Sequence, residues 1–337
     1  MEYDALSELR RYSEVYAGVS DDKYFSGKMP GNAWFIENEE VMALPRTDGD
    51  CRYPYGSDGF NFWAYSSGYM HCNDGLFSVF LRSSEGADPN IAWFAGISHI
   101  DKTKTISLLN VPNMDDGAVR YTVFNKSYIT YVTEYDGLCF GVRVFVDVKR
   151  NMFFTVSVIN NNEDSKEVFL SSYINSFLQH GIYPCGEDRW FREASLISGN
   201  DALPTFTLKC NINVSRTRQV TNLAALVRSV KTFGDSKIVS HQETTSRQQY
   251  IGSAIGNLNN PKAVKEGCFA RKVHTSAFTE TGIFGDIISF EISPRSAIRT
   301  DSVMRYEVYS EKPEFSQKLL EAIPENLDEI ISRAVVQ

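Results

Sequence analysis

Cysteine is scarce in this 337-residue sequence: six residues, at positions 51, 72, 139, 185, 210 and 268, with no C-x-x-C among them. That spacing excludes a zinc ribbon and a thioredoxin-type redox pair. The spread does not form a disulfide framework of the kind that staples small secreted domains. No apolar run reaches the about 18 residues that span a bilayer, and the opening MEYDALSELRRYSEVYAG has no apolar core of a signal peptide. Basic residues are in deficit, 34 Lys and Arg against 42 Asp and Glu, for a net charge of −8. A binder that neutralises nucleic-acid phosphates is excluded on that balance, and so is docking on an anionic membrane face. A cytoplasmic, reduced protein is expected.

Familiar catalytic signatures are missing too. There is no G-x-S-x-G nucleophile elbow, no G-x-x-x-x-G-K-[ST] phosphate loop and no G-x-G-x-x-G after a strand. The five histidines, at 71, 99, 180, 241 and 274, are not at metal-ligand spacing from one another. No metal and no cofactor is expected.

What is present is globular: 42% hydrophobic, 13% aromatic and 23% charged residues. Such a chain buries enough surface to need no staple. The length allows about two domains or one large all-β domain. Most of the chain has the pattern of strands. Phe140, Val142, Val144, Val146 and Val148 alternate with Gly141, Arg143, Phe145 and Asp147, a period of two that gives one core face and one mixed face. Asp136-Gly137 before it is a hairpin turn, since both residues tolerate positive φ. Further strands are expected at 33–43, 60–70, 76–82, 91–100, 104–109, 119–125, 152–159, 166–177, 193–198, 205–214, 268–275, 284–292 and 303–310. Residues 222–233 fit helix or strand equally. Short consecutive strands joined by turns pair antiparallel. The expected fold is all-β, a large antiparallel β-supersandwich with short terminal helices. Its parts are an N-terminal helix over 1–18, the supersandwich over 19–310 and linker-like amphipathic helices over 311–337. Helical patterns occur only at the ends: Leu6, Leu9 and Tyr16 near the start, closed by Gly18, then stripes Leu319/Leu320/Ile323 and Leu327/Ile330/Ile331/Ala334 behind Pro313 and Pro324. Those stripes need a cover, either the sandwich or another chain.

Three segments carry candidate chemistry. Arg189-Trp190-Phe191-Arg192-Glu193 sets an aromatic ring between guanidinium groups. This suits a pyranose face with hydroxyls or a phosphate at its edge, and equally suits arginines stacked on a half-buried Trp. Glu187-Asp188 lies beside it; adjacent residues on a strand face opposite ways, so a solvated loop is favoured over an acid/base pair. Tyr53 to Trp63 is a second aromatic-rich stretch, able to form a sugar platform but more simply explained as core.

Several segments, taken in order, resemble the N-terminal β-sandwich of cellobiose-phosphorylase-like enzymes of glycoside hydrolase family 94. They are Ser67-Gly68-Tyr69 with the strand to Arg82, the three strands of Tyr128 to Phe177 with their Asn-rich turn, and the Arg189–Glu193 loop. Tyr250-Ile251-Gly252, Asn260-Pro261-Lys262-Ala263-Val264, Phe284 to Pro294 and residues 313–337 complete the series. The resemblance implies a galactose-mutarotase-like supersandwich that precedes an (α/α)6 barrel. It also implies sugar contacts from Arg192, Trp190, Arg189, Arg82 and Tyr69. In the family the barrel holds the catalytic acid; this sequence stops at the linker, and no catalytic residue maps onto it. The expectation is therefore a non-catalytic sandwich subunit of a split phosphorylase-like enzyme. Its partners would be a barrel-bearing protein and a β-linked oligosaccharide or sugar phosphate, in an oligomer. The alternatives are a stand-alone carbohydrate-binding protein, or an independent sugar enzyme using Glu187, Asp188 or a histidine pair in a cleft.

Overall fold

The computed structural model describes residues 5–18, 25–29, 33–36, 40–45, 50–56, 59–75, 77–80, 89–99, 102–112, 116–147, 150–176, 179–180, 192–197, 205–215, 218–253, 256–271, 275–277 and 282–310. Backbone alone is described for 25–29, 77, 179–180, 192–197, 205–215, 218–223, 227, 275–277 and 307–310.

Twenty-two described strands, numbered in chain order, form three sheets. The large one runs β1 (Phe25–Met29), β2 (Ala33–Ile36), β3 (Glu40–Ala43), β10 (Val119–Phe124), β11 (Tyr128–Tyr135), β12 (Leu138–Val146), β13 (Met152–Asn160), β22 (Ala297–Ser310), β18 (Arg218–Thr232), β17 (Thr205–Ser215), β16 (Arg192–Ile197) and β20 (Thr275–Ala277). The middle sheet is β19 (Lys237–Ser246), β21 (Gly282–Ile292), β14 (Lys166–Ile174), β8 (Ile91–Ser98) and β9 (Thr103–Ser107). The small one is β15 (Gln179–His180), β7 (Phe77–Phe80), β6 (Met70–Asp74), β5 (Phe60–Tyr65) and β4 (Arg52–Tyr55). Every described pairing is antiparallel. The all-β supersandwich expected from the strand pattern is the architecture found.

Alternation along the strands builds the core. Phe140, Val142 and Val144 of β12 share one cluster with Phe154 of β13, Phe62 of β5, Phe80 of β7, Trp93 of β8 and Phe290 of β21, so all three sheets meet there. The opposite face of β12, expected to be mixed, is buried as well. Gly141 sits beneath helix α1 (Ala5–Ala17), and a Cβ there would lie 2.9 Å from Leu9 Cδ1. Leu6, Leu9, Tyr12 and Val15 of α1 pack with Tyr121, Val132 and Cys139 of the large sheet. Charged groups fix the helix further. Glu8 is ion-paired with Arg143 and accepts from the Tyr128 hydroxyl at 2.9 Å, while Tyr12 donates to Glu40 at 2.7 Å and Arg11 reaches the same carboxylate at 2.6 Å.

The structure departs from sequence expectation at three places and settles a fourth that the pattern left open. Residues 33–43 and 60–70 each hold two strands rather than one. The ambiguous 222–233 stretch is strand, set between β17 and β22, where the ladder on both sides outweighs helix propensity. Helices are not confined to the ends: α2 (Arg247–Ile251) and α3 (Lys262–Glu266) cover the outer face of the middle sheet. Within the expected 268–275 strand, residues 268–271 are not strand. Gly267 turns left-handed (φ 64°) after α3, and Phe269 drops into the cluster under the helices; 275–277 form β20. Residues 311–337 lie outside the described part.

Candidate functional site

Polar side chains converge where the large and middle sheets face each other. The alternation that buries Ala224 and Leu226 of β18 in the core also points Arg228 inward. On β21 the same face carries Phe284, Asp286, Ile288 and Phe290. Arg228 and Asp286 form an ion pair, with side chains 7% and 2% exposed. Ser172 of β14 donates to Asp286 and accepts from the Arg228 Nη2 at 2.9 Å. Arg228 Nε donates to the Ser302 hydroxyl of β22 at 2.8 Å. Four strands from two sheets thus share one charge pair. Burial draws the Arg228 guanidinium down to about 10, still charged at neutral pH. Unpaired, either ion would be expensive in this interior.

The edge strand β19 runs beside this cluster, paired with β21. His241 Nε2 lies 3.8 Å from Asp286 Oδ2 and 4.0 Å from Glu243 Oε2. His241 pairs with Ile288 and Glu243 with Asp286 in the ladder, so both face inward although β19 is the sheet's last strand. The imidazole thus stands within 4.0 Å of two carboxylates, one of them paired with a guanidinium.

The residues singled out from sequence fall unevenly. Arg192 begins β16, opposite Cys210 of β17, and β16 packs against β19 and β21, which carry His241, Glu243 and Asp286. Tyr69 is half-buried in the turn between β5 and β6, where its carbonyl accepts from the Tyr65 amide at 3.1 Å. Gly68 there has φ 101°, and a Cβ would strike Leu109, so the turn needs glycine. Arg82, Arg189 and Trp190 lie outside the described residues, as do Glu187 and Asp188. The Tyr250-Ile251-Gly252 and Asn260–Val264 segments enter α2 and α3, whose Tyr250, Ile251, Ala263 and Val264 pack on the outer face of the middle sheet. Sequence reasoning missed the Arg228–Asp286–His241–Glu243 set. Its only trace was period-two polarity inside KIVSHQETTS, masked by the absence of an apolar face.

Among the described residues no group of three or more His, Cys, Asp or Glu is placed to hold a metal ion. No helix there is long and apolar enough to cross a membrane. The described cysteines, Cys51, Cys72, Cys139 and Cys268, are free thiols.

No family model matches this chain, and no curated protein matches it. Solved structures similar to it include a polysaccharide lyase (11% identity, TM-score 0.42, covering 81% of this chain and 34% of that one). A putative kojibiose phosphorylase from human microbiome is similar at 10% identity and TM-score 0.46, over 91% of this chain and 38% of that one. A putative aldose 1-epimerase from Escherichia coli K12 is similar at 8% identity and TM-score 0.38, over 77% of this chain and 100% of that one. This chain thus spans about a third of the length of the first two. At these identities and TM-scores the likenesses carry no argument about activity.

Proposed function

We propose that this chain is the non-catalytic β-sandwich part of a carbohydrate-processing, phosphorylase-like enzyme, with the catalytic acid supplied by a separate barrel-bearing chain. The observation that carries the reading is the pairing of Asp286. Inverting phosphorolysis needs a carboxylic acid that hands its proton to the leaving oxygen while phosphate attacks the anomeric carbon. Asp286 is ion-paired with Arg228 and accepts from Ser172, while Ser302 accepts from the Arg228 guanidinium, so the pair is occupied in fastening two sheets together. In this proposal His241, Glu243 and the strand that begins at Arg192 bind sugar hydroxyls or a phosphate. Arg82, Tyr69, Arg189 and Trp190 belong to the same proposal as further contacts. The galactose-mutarotase-like arrangement implied by the sequence resemblance fits the stacked antiparallel sheets.

Purification of the tagged chain from its source cells tests this. A larger (α/α)6-barrel protein should accompany it, and light scattering should give a mass above that of the single chain. A monomer that travels alone under mild salt would overturn the proposal.

A second reading is favoured by one geometry, the imidazole within 4.0 Å of two carboxylates. In that reading the pure chain performs proton-transfer chemistry on a sugar by itself. Turnover abolished by His241→Gln with the fold intact would establish it.

A further inference from the structure

The outer face of the small sheet presents a different kind of surface. Along β5 the buried residues are Phe60, Phe62 and Ala64, at 3%, 0% and 0% exposure, and these satisfy the core. Asn61 and Trp63 alternate with them and face outward, Asn61 exposed and Trp63 half-buried. The ladder sets Pro54 of β4 beside Trp63 on one side and His71 of β6 on the other, so three strands contribute to one row. Asn73, two residues further along β6 and opposite Asn61, donates from its amide to His71 Nε2 at 2.8 Å and fixes that ring. The Arg52 guanidinium stands 5.3 Å above the Trp63 ring centre, on an exposed side chain at the sheet's last strand.

We propose that this face binds a neutral pyranosidic oligosaccharide, with a sugar ring stacked on Trp63 and its hydroxyls taken by Asn61, His71 and Arg52. An indole kept out of the core, with amide, imidazole and guanidinium groups at its rim, matches a ligand that has an apolar C–H face and a polar edge. A nucleic-acid base would also stack on indole, but the −8 charge of the chain disfavours a polyanion. This inference does not rest on the split-enzyme reading, since it concerns another sheet and needs no turnover.

The test is calorimetric titration of the full chain, without any partner, using cellohexaose, xylohexaose and poly(U) as probes. One of the hexaoses should bind. Trp63→Ala should weaken that binding by about tenfold or more, the scale of one aromatic contact. Asn61→Ala, at an exposed position, should weaken it severalfold with the melting temperature unchanged. If Trp63→Ala fails to fold, Trp63→Phe and Asn61→Ala carry the comparison. Absence of binding to both hexaoses, binding to poly(U) instead, or hexaose binding indifferent to Asn61 and Trp63 would each overturn it.

Discussion

Arg228 on β18 and Asp286 on β21 meet as an ion pair in the space between two sheets, and strands β14 and β22 each contribute a serine to the same pair. A charge pair at that depth sets the register of one sheet over the other, because a slip by one residue would turn each charge out of its partner's reach.

Breaking the pair should therefore be costly. Arg228→Met or Asp286→Asn should each lower unfolding free energy by about 3–5 kcal/mol, since each strands a buried partner. Combining Arg228→Met with Asp286→Leu should cost clearly less than the sum of the two single removals. Urea unfolding measures both. Small, additive costs would show that the pair does not clamp the sheets.

High pH should destabilise the protein. Burial pushes the phenols of Tyr12, Tyr121 and Tyr250 far above the ordinary tyrosine value. In the unfolded chain these groups lose their protons near pH 10, whereas the folded chain keeps them, so above about pH 10 the folded state binds more protons. Stability is then fully present below that value and falls as pH rises beyond it. Urea midpoints measured from pH 8 to 11 should drop steadily in the upper part of the range. Tyr250→Phe should flatten that drop, though it also removes the 2.7 Å contact with Ser171.

Thiol accessibility should divide the cysteines. Cys72 and Cys139 are buried, and burial raises both thiols above the usual range, which suppresses the reactive thiolate. Brief alkylation followed by peptide mapping should leave positions 72 and 139 unmodified in the folded protein and modified in urea. Rapid labelling of either under native conditions would contradict the packing of β6 or β12.

The seat of α1 is testable at one atom. Gly141→Val would place side-chain atoms against Leu9, where even a Cβ comes within 2.9 Å. Overpacking of this kind costs about 1–3 kcal/mol. Limited proteolysis should then release the N-terminal helix faster, while the ladder from β11 to β13 stays protected against hydrogen exchange.

How much of this was legible beforehand depended on whether local pattern or distant packing decided the outcome. The β11–β12 hairpin was legible because Asp136 and Gly137 both take positive φ, 50° and 71°, and the flanking alternation is strict. A helix over Ala5–Ala17 and its end at Gly18, whose amide bonds back to Glu14 and Val15, followed from spacing alone. The second aromatic stretch was legible in part: Tyr55, Phe60 and Phe62 do enter the core, while Trp63 faces out. Strand β19 was not legible. An edge strand whose apolar residues, Ile238 and Val239, are adjacent and exposed has no apolar period, and only pairing with β21, beyond the 35 residues 247–281, makes it a strand. The inter-sheet cluster was hidden for the same reason, since Ser172, Arg228, His241, Asp286 and Ser302 come from five strands that no local signal connects.

The most direct measurement of the central claim is phosphate-dependent turnover of β-linked disaccharides by the purified chain, alone and with the barrel protein that the proposal places beside it. The account predicts no turnover by the chain alone and release of sugar phosphate once the partner is added. Sustained turnover by the solitary chain, lost in His241→Gln, would contradict it.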